Sequence, residues 1–340
     1  MSAEVIPLHP SEPHRQPSLA PILSLTAAAM NSVNAVILDR MQSEIPLIPA
    51  LAGHLISGGG KRMRPMLTLA GAELVGYHGE RHHKLAAAVE FIHTATLLHD
   101  DVVDGSDLRR GKAAANIIFG NPATVLVGDF LFSRAFELMV EDGSLKVLRI
   151  LSHASAVIAE GEVDQLTAQR QIETSEERYL DIIGAKTAAL FAAASRISAV
   201  VAECGEAEEQ ALDDYGRNLG IAFQLVDDAL DYDAEAADMG KASGDDFREG
   251  KMTLPVIFAY ARGDADERAF WKAAVQGHRS SDEDLAYAVE LIRKYDAHTA
   301  TRDRALHFAQ RAIDALSIFP AGKAREAMVE AAQFAVSRGY

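Results

Sequence analysis

Cysteine is nearly absent from this chain. Cys204 is the single one among 340 residues, so no intramolecular disulfide can form, and a reducing cytoplasm is the expected setting. Aromatic residues are scarce at 6%, with one tryptophan. Ala and Leu dominate the apolar fraction of 49%, which favours helix over strand. Positive charge is in deficit: 33 Lys and Arg face 49 Asp and Glu, a formal net of −16. That argues against a nucleic-acid binder and makes any basic cluster a local feature with a local task. We read no uncharged apolar run of eighteen residues and no secretory signal. Residues 1–17 are polar and rich in proline (Pro7, Pro10, Pro13, Pro17) and are expected to form a disordered tail. No HExxH motif occurs, and His78, His82 and His83 read as a polar surface turn, so zinc has little support.

What the chain does have is a pair of carboxylate clusters. The first closes an apolar, Ala-rich helical stretch at 85–98 and consists of Asp100, Asp101 and Asp104. At 3.6 residues per turn, Asp100 and Asp104 lie about 40° apart on one face. Like charges at that spacing destabilise a helix, and a helix C-terminus already carries partial negative charge. A cation is needed to offset them. Asp227, Asp228 and Asp231 repeat the spacing after a second apolar run. Carboxylates arranged this way suit Mg²⁺, which takes one or two of them and leaves positions for water and phosphate oxygens.

Basic segments accompany both clusters. Gly58, Gly59 and Gly60 precede Lys61, Arg62 and Arg64, just before a predicted helix at 65–75. This is not a P-loop, because Arg62 stands where Ser or Thr is required, but a glycine-bearing basic turn suits a diphosphate. Arg109, Arg110 and Lys112 follow the first cluster. Lys186, with Thr187 beside it, sits alone in a long apolar helix predicted at 179–201. Residues 239–251 read as a glycine-bearing loop with Lys241 and Lys251, able to close over a phosphate as a lid. Gln224 lies one turn before Asp228, and His93 two turns before Asp100. Further helices are predicted at 19–41, 122–140, 145–166, 206–231 and in several amphipathic segments from 267 to 338. A proline break is expected at 44–49. With no repeats and no clear linker, residues 18–340 read as one all-α domain.

Two acid clusters, three basic segments and greasy helices beneath them imply a ligand with a diphosphate at one end and an apolar tail at the other. The motifs GGGKRMRP, LLHDDVVDGSDLRRGK, GAKTAALF, FQLVDDALDYDA and GKASGDDFREGKMTLP, in this order, resemble those of the trans-isoprenyl diphosphate synthases, or polyprenyl synthetases. The resemblance implies a bundle of long antiparallel helices around a central cavity, usually in a homodimer, that condenses isopentenyl diphosphate with an allylic diphosphate such as farnesyl diphosphate. It implies that the six aspartates hold Mg²⁺ on the allylic diphosphate, which Arg109, Lys186 and Lys241 also contact. Lys61, Arg64, His93 and Arg110 would bind isopentenyl diphosphate, and Lys251 would be a further lid contact. Thr187 and Gln224 would steady the cation and the proton-loss step, with the released diphosphate as proton acceptor.

Product length is read from the residues above Asp100. Short-chain members of the family often put bulky aromatics four and five positions before it. Here stand Thr96 and Ala95, with Ile92 and Val89 deeper, so the channel is expected to stay open. The expected product is long, about C35 to C50 and within that range octaprenyl to decaprenyl, for a quinone side chain, with transient membrane contact at release. Its floor is expected on following helices, at Phe132, Met139 or Leu151. The alternatives are a C15–C20 synthase, a class I terpene cyclase, a non-catalytic partner subunit and an acidic scaffold. Lys61, Arg64 and Arg110 argue against the cyclase, which needs no second diphosphate site. Two intact triads argue against the partner subunit, and the ordered motifs against the scaffold.

Overall fold

The computed structural model describes residues 16–57, 60–109, 111–233, 244–277 and 281–337. The expected tail lies almost wholly outside these residues, as do Arg110 and Lys241. Helices α1 (Ala20–Arg40), α2 (Leu47–Ser57), α3 (Met63–Leu74) and α4 (Arg81–Val103) come first. A minimal antiparallel hairpin follows, pairing Leu108 with Ala113 and Arg109 with Lys112. Next are α5 (Ala115–Phe119), α6 (Asn121–Asp142), α7 (Leu145–Ala168), α8 (Glu176–Ile183), α9 (Ala189–Val201) and α10 (Glu206–Leu230). The chain then forms α11 (Asp245–Glu249), α12 (Leu254–Arg262), α13 (Ala265–Val275), α14 (Asp282–Lys294), α15 (Ala297–Ala315) and α16 (Lys323–Ser337). The fold is all-α, as the composition implied.

Local chemistry explains most boundaries. Ser144 and Ser175 cap α7 and α8 through their hydroxyls, and Asp264 with Glu267 and Ser281 with Asp284 form capping boxes on α13 and α14. The proline break is shorter than expected: α2 begins at Leu47 and takes Pro49 into its first turn, where a proline costs no hydrogen bond. Likewise 239–251 is not loop throughout, since α11 occupies its second half.

Alanine and glycine let the central helices approach closely. Helix α9 is buried along almost its whole length, and α4 buries Leu85 to Val89, Phe91, Ile92, Ala95 and Leu98. A Cβ on Gly220 of α10 would stand 2.6 Å from the Ala188 backbone. One on Gly161 of α7 would stand 2.7 Å from Ala185 Cβ. Three apolar clusters fill the bundle. The first joins α1, α4, α6, α7 and α9, the second α8, α10 and the α12–α15 segment, the third α3, α9, α10 and α16.

Two sequence expectations need correction. Residues 20–38 of α1 carry no charge at all, and α1 and the Glu176–Val201 stretch are long and apolar enough to cross a membrane by length and composition. The second is 78% buried inside the bundle, and α1 presents Ile22, Thr26, Val33 and Ile37 to the core, its apolar run broken by Asn31 and Asn34. His82 is not a surface residue. It lies in the first turn of α4, 6% exposed, against the Tyr77 ring at 5.3 Å.

Candidate functional site

The C-terminal end of α4, the end of α10 and the start of α3 converge on one cavity of about 900 Å³. Asp100, Asp101, Asp104 and Asp227 line it, with Lys61, Arg64, His93, Thr96, Arg109, Lys186, Thr187 and Gln224. Its remaining wall is largely apolar, with Leu97, Phe191 and Leu131. The cavity thus brings the first cluster and Asp227 of the second together with Lys61, Arg64, Arg109 and Lys186.

The clusters differ in detail. Asp101 is 1% exposed and accepts from Arg109 Nε at 2.6 Å through Oδ1. Its Oδ2 is buried without a hydrogen-bond partner. Burial pushes Asp100 up to about 6, although Lys186 pulls it down. In the second cluster only Asp227 borders the main cavity. Asp228 is buried and accepts from the Tyr179 hydroxyl at 2.5 Å and from Gln224 Nε2 at 2.7 Å. Burial raises it too, to about 6, against those two hydrogen bonds. Asp231 caps α11, accepting from the backbone N–H groups of Gly244, Asp245 and Asp246 at 3.1–3.3 Å.

Lys186 and Thr187 sit on a one-turn π segment, Gly184–Ala188, between α8 and α9. Single π turns inside α-helices gather at functional sites because the extra residue re-aims its neighbours. Here it turns Lys186 Nζ onto Glu162 Oε2 of α7 at 2.8 Å, with Asp100 Oδ2 at 3.8 Å. Thr187 Oγ1 donates to Gln224 Oε1 at 2.8 Å, which fixes the Gln224 amide on Asp228.

At the other wall, Arg62 enters α3 with φ of 47°, a left-handed value unusual for a side chain this size, and is pinned to Asn34 of α1. That turn aims Lys61 and Arg64 inward. Arg64 Nη1 lies 2.9 Å from His93 Nε2, and its guanidinium stacks 4.5 Å over the Phe191 ring.

A smaller pocket of about 100 Å³ adjoins, sharing Lys186, Thr187 and Gln224 and adding Tyr179, Asp228, Asp246 and Lys251. Lys251 Nζ is 3.5 Å from Asp104, 3.9 Å from Asp246 and in contact with Glu249. Burial alone would lower its pKa, yet these carboxylates hold it above the ordinary lysine value. Burial, then Asp228 and Asp231, pushes Asp246 well above the usual range. The sequence reading missed Glu162, Asp246 and Tyr179. Glu162 is flanked by Glu160 and Asp164 and resembles a solvated helix face, though the adjoining Gly161 marks a close approach.

Of the residues expected to set product length, Thr96 lines the cavity. Ala95, Ile92 and Met139 are buried in the core and are not among its lining residues. Nor are Phe132 and Leu151; from α6 it is Leu131 that does so.

Among the described residues, no three carboxylate or histidine groups come close enough to hold an ion by themselves. Hard oxygen donors on one wall, one of them buried and unpartnered, nevertheless fit Mg²⁺, which fills its shell with water and phosphate oxygens.

A helical bundle enclosing one cavity, acidic and basic at its mouth and apolar beyond, defines a protein for amphiphilic anions. The chain belongs to the polyprenyl synthetase family, whose model matches residues 45–292. It is 48% identical to the octaprenyl diphosphate synthase of Escherichia coli (strain K12), over 94% of this chain and 99% of that one. Its fold matches a polyprenyl synthase from Caulobacter crescentus CB15, complexed with calcium and isoprenyl diphosphate, with a TM-score of 0.92 and 55% identity over 96% and 99% of the chains. A decaprenyl diphosphate synthase from Rhodobacter capsulatus gives a TM-score of 0.91 and 50% identity over 94% and 99%.

Proposed function

We propose that this chain condenses isopentenyl diphosphate with an allylic diphosphate such as farnesyl diphosphate, adding units until a long all-trans polyprenyl diphosphate is made. The observation that carries this is the cavity in which Asp100, Asp101, Asp104 and Asp227 face Lys186, Arg109, Lys61 and Arg64 above an apolar wall. The enzyme is a trans-prenyltransferase whose product falls between about C35 and C50, in the octaprenyl-to-decaprenyl part of that range. A quinone side chain is the use such a product suits.

The allylic diphosphate lies between the clusters. Asp100, Asp101, Asp104, Asp227, Asp228 and Asp231 are assigned to Mg²⁺ here, two or three ions per site. When bound, the metal neutralises charge on the departing diphosphate. Arg109 and Lys186 are assigned to the same diphosphate, as is Lys241 by its motif. Lys61, Arg64, His93 and Arg110 hold isopentenyl diphosphate, the Phe191 ring keeping the Arg64 fork in plane. Lys251 bridges α11 to Asp104 and lies close enough to reach phosphate. Thr187 and Gln224, locked by their mutual hydrogen bond, present oriented dipoles to the allylic cation at no reorganisation cost. The apolar wall excludes water that would quench that cation. The proton lost at the end of each cycle goes to the released diphosphate.

Residues 18–340 act as one domain, a reading supported by apolar clusters that share α9 and α10. Exposed Leu126, Phe136 and Val140 on α6 with Val163 and Leu166 on α7 favour a homodimer through that face. The cytoplasm is the proposed location, with transient membrane contact when the product leaves.

Asp100→Ala and Asp227→Ala test the metal assignment. Turnover should be abolished while the far-UV helical signal stays, and normal turnover in either variant contradicts it.

A further inference from the structure

Ala95 and Ile92 of α4 do not line the cavity. At about 100° per residue, the lining residues Glu90, His93, Thr94 and Asp101 fall within about 60° of Leu97 and Phe91 and Thr96 flank them at roughly 100–120°, whereas Ala95 and Ile92 lie at roughly 140–160°. Two residues of α1 and its end, Ile37 and Met41, form part of the cavity wall. They are four positions apart, hence about 40° apart on one face, and both are buried. Ion pairs show which end of α1 this is. Arg40 and Lys84 both meet Glu141, and Arg81 meets Asp142. The C-terminal end of α1 therefore stands beside the N-terminal end of α4, far from the aspartates, and Met41 is more distant from them than Ile37.

From Asp100 to Glu90 is ten residues of helix, about 15 Å. An isoprene unit extends roughly 4–5 Å, so about three units fit along that stretch. An octaprenyl tail has eight, and the later units must pass the α1 wall. We infer that Ile37 and Met41 are specificity-determining residues: the growing tail runs along them, and the space they leave decides how many units are added. This rests on the synthase reading above.

The test is the product made from farnesyl diphosphate and excess isopentenyl diphosphate by wild type, Ile37→Trp, Met41→Trp and Leu38→Trp, resolved by chain length. Leu38 is exposed on the same helix and does not line the cavity. Both cavity variants should stop at least two units short of the wild-type product. Ile37→Trp should stop about one unit earlier than Met41→Trp, since the four residues between them rise about 6 Å. Leu38→Trp should match wild type. Should a tryptophan variant fail to fold, Ile37→Phe and Met41→Phe carry the same comparison. Unchanged length in both cavity variants, or equal shortening by Leu38→Trp, overturns the inference. A wild-type protein that consumes no isopentenyl diphosphate sinks the synthase reading itself.

Discussion

Lys186→Met removes one charge and keeps the stem. In the wild-type site Nζ stands 2.8 Å from Glu162 and 3.8 Å from Asp100, all three side chains a quarter exposed or less. At an effective dielectric near 20, a contact of about 4 Å is worth roughly 4 kcal/mol before desolvation is counted. Losing the lysine also removes its own desolvation cost, and Asp100, already near 6, can take up a proton. The net destabilisation should be about 1–3 kcal/mol. Chemical denaturation of wild type, Lys186→Met, Glu162→Gln and the double variant reads this directly. The double-mutant cycle should give a coupling of about 1 kcal/mol or more. Activity should fall more than stability does, by about 10²- to 10³-fold in kcat, because the lysine faces charge that develops only as diphosphate departs. A variant with turnover within threefold of wild type, or with no coupling to Glu162, refutes the role given to Lys186.

Other perturbations have equally definite outcomes. Tyr179→Phe takes a short, charge-assisted hydrogen bond from a buried carboxylate and should lower stability by about 1.5–3 kcal/mol; an unchanged denaturation midpoint contradicts this. Thr96→Tyr puts a ring on a lining position and should shorten the product, read by chromatography of the dephosphorylated polyprenols; unchanged length contradicts the tail's path beside α4. His82 is held neutral by burial down to about 4, against an ordinary value of 6.5. The unfolded chain takes up that proton first, so this stability is complete above 6.5 and is lost between 6.5 and 4. From pH 7 to pH 5 the wild type should lose about 2 kcal/mol more than His82→Phe, and parallel pH profiles contradict the burial of a neutral imidazole.

The aspartate clusters were legible because their cost is local. Asp100, Asp101 and Asp104 repel one another at a helix end whatever the rest of the chain does, so spacing alone signals a compensating cation. The long helices were legible through their apolar periodicity. The π turn was not, since its register depends on how closely Gly161 and Gly220 let α7 and α10 approach residues 184–188. Asp231 illustrates a second limit: spacing placed it beside Asp228, but only the tertiary fold shows that its carboxylate caps α11. Position on the wheel explains the third. Counting back from Asp100 pointed to Thr96 and Ala95; Thr96 lines the cavity, whereas Ala95 does not, and the cavity also meets α1. His82 was misread for the same reason, a polar sequence neighbourhood hiding a buried ring.

The most direct measurement is the product that the purified protein makes from farnesyl diphosphate and excess isopentenyl diphosphate, with and without Mg²⁺. A Mg²⁺-dependent polyprenyl diphosphate of about C35 to C50 is expected. Products that stop at C15–C20 would contradict the long channel, and no consumption of isopentenyl diphosphate would contradict the prenyl transfer itself.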